Sequence, residues 1–100
     1  MTNDNILNEL RACVTQIDCE ILSALNRRGS YAKEIGKLKK KEGLKIVDED
    51  RENFILNDIV TVAKLTKCPY SEESIRRIYK VIMEETRKIE EKNDWTRIIN

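Results

Sequence analysis

One hundred residues give room for one domain, and 40% apolar, 37% charged and only 5% aromatic residues is the balance of amphipathic helices rather than of a β-sandwich. A formal net charge of +1, with both signs interspersed along the chain, provides no global field for a polyanion, so nucleic-acid binding is not expected. The absence of histidine removes Ser/His and Cys/His nucleophilic pairs, the commonest metal ligand and the usual proton shuttle, so any chemistry must run on Arg, Lys, Glu, Asp and hydroxyls.

From Ile6 to about Lys39 the apolar positions Leu7, Leu10, Val14, Ile17, Ile21, Leu25, Ala32, Ile35 and Leu38 recur at three- and four-residue steps. This predicts one very long helix over about 5–40. Gly29 and Gly36 lie inside it, each costing about 1 kcal/mol relative to Ala, but no Pro forces a break. Lys41 to Val47, containing Gly43, reads as a connection. Asp48 then caps a second helix over about 49–66, with Glu49, Asp50 and Glu52 near the positive end of its dipole and Ile55, Ile59, Val62 and Ala63 as its apolar positions. Cys68, Pro69 and Tyr70 form the next connection. Ser71, followed by Glu72 and Glu73, starts a third helix over about 71–92 through Ile75, Ile78, Tyr79, Ile82 and Ile89. The tail 93–100, with Trp95, is left unassigned. The class is all-α, a single three-helix domain over 1–100.

A first helix of that length spans about 50 Å, far longer than its partners, and much of its apolar stripe would stay wet in a monomer. A symmetric, intertwined homodimer is therefore expected. No apolar run approaches the roughly 18 residues of a membrane span, and Met1 to Asn8 lacks a basic stretch followed by an apolar core. Cys13, Cys19 and Cys68 cannot all pair within one chain, nor do they form a zinc-type doublet. A soluble cytoplasmic protein with free thiols, no metal and no membrane contact is expected.

Several polar residues stand where the periodicity assigns the core. The first stripe passes through Arg28 and Lys39; the third continues from Ile82 to Thr86 and Glu90; Arg51 precedes Ile55 by one turn and Glu52 precedes Leu56 likewise. A charge on a buried face is costly unless paired or bound, so exceptions on all three helices point to a polar pocket inside the bundle. The bland alternative is that Arg and Lys stems pass along the core edge while Thr86 and Glu90 mark where the third helix meets water. Arg11 and Arg28 are about 25 Å apart along one helix, too far to hold one small anion together, so a shared site needs two chains.

Leu10 and Arg11 with Ile17 and Asp18; Arg27 and Arg28; Glu34, Ile35, Gly36, Lys37 and Lys39; Asp48, Arg51 and Glu52; and Ile82, Met83, Glu84, Glu85 and Thr86, in this order and spacing, resemble the all-helical (type II) chorismate mutases from about Asn5 to Glu91. The resemblance implies an isomerase that converts chorismate to prephenate in aromatic amino acid biosynthesis, without cofactor, as a homodimer. It places carboxylate-binding arginines at Arg11, from the partner chain, and Arg28. Arg51 supports this cationic wall, with Asp48 beside it. Lys39 matches the lysine that bonds a carboxylate and the ether oxygen of the breaking bond, and Glu52 the acceptor for the substrate hydroxyl. Thr86 stands at a small-hydroxyl position. Glu90 stands where the family has Gln or Glu facing the ether oxygen. Lys39, Glu90, Arg28 and Glu52 are thus the expected catalytic residues, and Arg11, Asp48, Arg51 and Thr86 join them in binding substrate.

That set suits a concerted pericyclic step, which needs no nucleophile, metal or redox group. The protein supplies charge-assisted bonds that hold the reactive conformer and donors aimed at the ether oxygen as negative charge develops there. The short segment after the third helix leaves no room for a fused domain, so a monofunctional protein is expected. Two other readings stay open: an isochorismate pyruvate lyase-like enzyme, against which the Asp48, Arg51 and Glu52 pattern speaks, and a helical interaction module with a basic patch over Lys37, Lys39, Lys40 and Lys41. The patch has the plainer explanation that cations near a helix carboxyl end complement its dipole.

Overall fold

The computed structural model describes residues 2–92, and three helices account for most of them: α1 (Asn3–Glu42), α2 (Glu49–Leu65) and α3 (Glu72–Glu91). No strand occurs among the described residues, in keeping with the all-α class. The unassigned tail 93–100 lies outside them. None of the described helices is long and apolar enough to cross a membrane. The chain divides into two units, one ending at Tyr31 and one beginning at Ala32.

The N-terminal unit is a stretch of α1. The Thr2 hydroxyl accepts the Asn5 amide hydrogen bond at 3.2 Å, which satisfies one of the donors that every helix start leaves open. The helix continues without interruption through Gly29. Its apolar stripe from Ile6 through Leu10, Val14, Ile17 and Ile21 to Leu25 is exposed. Cys13 and Cys19 are exposed thiols.

The second unit combines the last turns of α1 with α2 and α3. Gly43, at φ +69°, ends α1 in the left-handed conformation, and the Leu44 amide reaches back to the Lys39 carbonyl at 2.8 Å. This is the closure that glycine permits at low cost. Lys39, Lys40 and Lys41 occupy the last turn, where cations offset the negative end of the dipole. Asp48 caps α2, its Oδ1 accepting from the Arg51 amide at 3.0 Å. At the far end of α2, Lys67 takes the left-handed turn at φ 54° and the Cys68 amide bonds the Ala63 carbonyl at 2.9 Å. Ser71 caps α3 by accepting from the Ser74 amide at 3.1 Å.

The buried residues of this unit are Ala32 and Gly36 of α1, Leu56 and Val60 of α2, and Met83 and Glu90 of α3. On α2 this differs from the expected stripe: Leu56 and Val60 are innermost, Ile55, Ile59 and Ala63 are half-buried, and Val62 is exposed. The two stripes differ by one residue, about 100° around the helix, and an apolar run such as Phe54–Leu56 does not choose between them. Glu52 lies one turn before Leu56 and therefore on the buried side. On α1, Gly36 rather than Ile35 is buried. A Cβ at Gly36 would stand 2.5 Å from the Glu90 carbonyl oxygen and 2.6 Å from its Cα, so α1 and α3 meet backbone to backbone there.

Candidate active site

The close approach at Gly36 brings Lys39, one turn on, to Glu90. Their charged atoms, Nζ and Oε1, are 2.7 Å apart, with side chains 18% and 10% exposed. Glu90 Oε1 is buried and has no other partner among the described residues, so the Lys39 ammonium is what offsets its charge. Lys39 Nζ instead donates to the Ile46 carbonyl at 2.7 Å, tying the α1–α2 connection to the same ammonium. An ammonium has three protons to give, which leaves Lys39 with donor capacity beyond Ile46.

Lys39 also lines an open concavity of about 650 Å³, together with Leu44, Lys45, Val47 and the start of α2 from Asp48. That lies within the size range of small-molecule sites, about 300–1,000 Å³. Asp48 is at its rim with one carboxylate oxygen committed to the helix cap. Arg51, one turn into α2, is exposed and lies over the Phe54 ring, 5.4 Å from its centroid.

Glu52 is engaged from α3. Arg87 donates to it from Nε at 2.8 Å and also from Nη2, a two-point bond in which the planar guanidinium matches the carboxylate. The hydrogen bond with Glu52 holds the Arg87 pKa above its ordinary value against the opposing effect of burial, with attraction to Glu52, Glu84 and Glu49 adding to it. Thr86, half-buried, donates its hydroxyl to the Ile82 carbonyl at 2.7 Å, one turn back. It shares a helix face with Glu90, four residues on.

Of the residues read from the sequence, Lys39 and Glu90 are in direct contact, and Asp48 borders the concavity that Lys39 lines. Glu52 and Thr86 sit half-buried on α2 and α3. Arg11 and Arg28 belong to the N-terminal unit, Arg11 exposed and Arg28 half-buried. Two groups escaped sequence reasoning. The Ile46 carbonyl carries no side-chain signal. Arg87 had one: it lies four residues after Met83 and three before Glu90, on the buried stripe of α3, and so belongs with the other polar exceptions.

Within the basic run, Lys37 pairs with Glu34 at 3.4 Å and Lys39 with Glu90, while Lys40 donates to the Glu91 carbonyl at 3.0 Å and to that of Lys92. Two of the four lysines are thus matched by carboxylates within the chain.

The described residues thus form a three-helix chain with a withdrawn lysine–carboxylate pair at one helix junction and a second ion pair between α2 and α3. The family model described as chorismate mutase type II matches residues 10–91, and the chain belongs to that family. It is 31% identical over 85 residues to a chorismate mutase of Methanocaldococcus jannaschii, covering 84% of this chain and 83% of that protein. It is 36% identical over 87 residues to a bifunctional chorismate mutase/prephenate dehydratase of Aquifex aeolicus, covering 86% of this chain and 24% of that one. A protein of the same description from Neisseria gonorrhoeae is 34% identical over 89 residues, with 89% and 23% covered. The chain spans about a quarter of the length of these two bifunctional relatives.

Proposed function

We propose that the chain catalyses the rearrangement of chorismate to prephenate, an intramolecular isomerisation that serves aromatic amino acid biosynthesis and takes no cofactor. The observation that carries this reading is the Lys39–Glu90 pair, largely withdrawn from water where α1 meets α3, in a member of the type II chorismate mutase family.

The reaction breaks one carbon–oxygen bond and forms one carbon–carbon bond in a single step, so the protein has no covalent chemistry to perform. Lys39 donates to a substrate carboxylate and to the ether oxygen, on which negative charge grows in the transition state. Glu90, when protonated, donates to the same oxygen. Glu52 accepts the substrate hydroxyl, Thr86 offers a hydroxyl nearby, and Asp48 and Arg51 border the site from the start of α2. Arg28 takes a substrate carboxylate by charge-assisted bonding.

Arg11 completes the set from a second copy of the chain. Two features support a homodimer: the exposed stripe from Ile6 to Leu25, which association would remove from water, and the length of helix between Arg11 and Arg28. A cytoplasmic setting belongs to this reading and is supported by the three free thiols.

The test is the loss of chorismate absorbance with purified protein and no added cofactor, with Lys39→Ala as the control. Turnover by the wild type and a fall in kcat of about 100- to 1,000-fold in a folded Lys39→Ala protein are the expected results. Failure of the wild type to consume chorismate refutes the reading.

A further inference from the structure

The proposed mutase reading gives Glu52 a task but leaves its partner, Arg87, without one. Glu52 sits one turn before the buried Leu56, with its side chain 19% exposed. A carboxylate in that position accepts a substrate hydroxyl well only if it points one way. Left to itself beside Glu49 and Glu84, which line the same small concavity of about 290 Å³, it is repelled by its neighbours and by a dianionic substrate. Lys80 also lines that space, but its ammonium is a point charge on a flexible stem. Arg87 differs in geometry: Nε and Nη2 address both Glu52 oxygens at once, so the guanidinium fixes the plane of the carboxylate.

We propose that Arg87 is a positioning residue for the reaction, holding Glu52 from α3 so that its carboxylate is oriented for the substrate hydroxyl. Each carboxylate oxygen has two lone-pair sites, so a two-point bond to Arg87 leaves acceptor capacity on both. Arg87 itself touches no reacting atom. It acts across the α2–α3 contact, which makes the hydroxyl-binding group a property of the pair of helices rather than of α2 alone. This rests on the assignment of Glu52 as hydroxyl acceptor in a mutase.

A hydroxyl bond made equally in the bound substrate and in the transition state governs KM more than kcat. Steady-state kinetics on the wild type, Arg87→Met, Arg87→Lys, Glu52→Gln and the Glu52→Gln/Arg87→Met double variant test the proposal, with folded fraction checked by circular dichroism. Met keeps an unbranched apolar stem. Arg87→Met is expected to raise KM about tenfold with kcat near that of the wild type, the loss of one charge-assisted constraint. Arg87→Lys should fall between the two, because it restores charge but not the fork. In the Glu52→Gln background Arg87→Met should add little, since nothing is left to position. An unchanged KM in Arg87→Met overturns the proposal. So does an equal penalty with and without Glu52, or a lower kcat at unchanged KM that tracks the folded fraction. A wild type with no turnover overturns the mutase reading and this inference with it, whereas an active wild type with an indifferent Arg87→Met overturns this inference alone.

Discussion

Gly36 and Glu90 lie so close that a single added methyl group at Gly36 would stand 2.5 Å from the Glu90 carbonyl oxygen. The neighbour is backbone and not a flexible side chain, so it cannot give way without moving α3. Gly36→Ala is therefore expected to destabilise the protein by about 1–3 kcal/mol despite the better helix propensity of Ala. It should also separate Lys39 from Glu90 and lower activity. Urea unfolding and turnover on the same preparation check both. A variant as stable and as active as the wild type would show that the approach is not tight.

Glu90 can donate a hydrogen bond only while protonated, whereas a Gln at this position would donate at any ordinary pH. With Lys39 2.7 Å away, the ionised form has a cation to face when no substrate is bound. On the proposed mechanism Glu90→Gln should keep a donor for the ether oxygen and retain turnover, whereas Glu90→Ala should lose it. The comparison is steady-state kinetics on the two folded variants. Equal losses in both would remove Glu90 from the role of donor.

Arg11 and Arg28 are separated by about 25 Å of α1, so one chain cannot place both on one small dianion. Arg11→Ala and Arg28→Ala are each expected to be inactive alone and to recover part of the activity when mixed, because exchange produces some sites with both arginines intact. Subunit exchange followed by a mixed-label measurement must accompany the assay. Exchange without recovered activity would rule out a site shared between chains.

The stability of the fold should carry an acid-side signature from Glu72. Its carboxyl is held below its usual 4.5, chiefly by the hydrogen bond with Lys64, then by that with Arg76. These pairs measure 2.8 and 3.2 Å. A group whose pKa is lowered in the folded state contributes stability that is complete above the unfolded value and is lost as pH falls through the folded one. The loss therefore begins as pH drops below about 4.5 and deepens further into acid. Glu72→Gln should unfold with a shallower dependence on pH across that range. Thermal melts at several pH values would detect it, and an unchanged slope would contradict it.

Much of the fold was legible because its signals are local. The three-and-four spacing from Leu7 to Leu38, the cap residues Asp48 and Ser71 with acidic residues behind them, and Gly43 in the first connection each act within a turn or two of helix, where sequence and geometry are directly linked. The polar exceptions Lys39 and Glu90 were visible in the same way, as charges at positions that the periodicity gave to the core. Their contact was not. Nothing within α1 says which residue of α3, some fifty positions later in the chain, will neutralise Lys39.

What the tertiary structure alone decided concerns choices that are nearly degenerate for an isolated helix. The α2 run Phe54–Leu56 offers apolar side chains in more than one direction, and only packing against α3 makes Leu56 and Val60 the inner pair and turns Glu52 inward with them. Arg87 then meets Glu52 because the two helices are in register there, across 35 positions of sequence. Gly36, costly by propensity, stands where the backbone of Glu90 leaves no room for a Cβ. The sequence by itself determined the helices and the inventory of charges; which charges became partners depended on long-range contacts, and those exist only once the helices have packed.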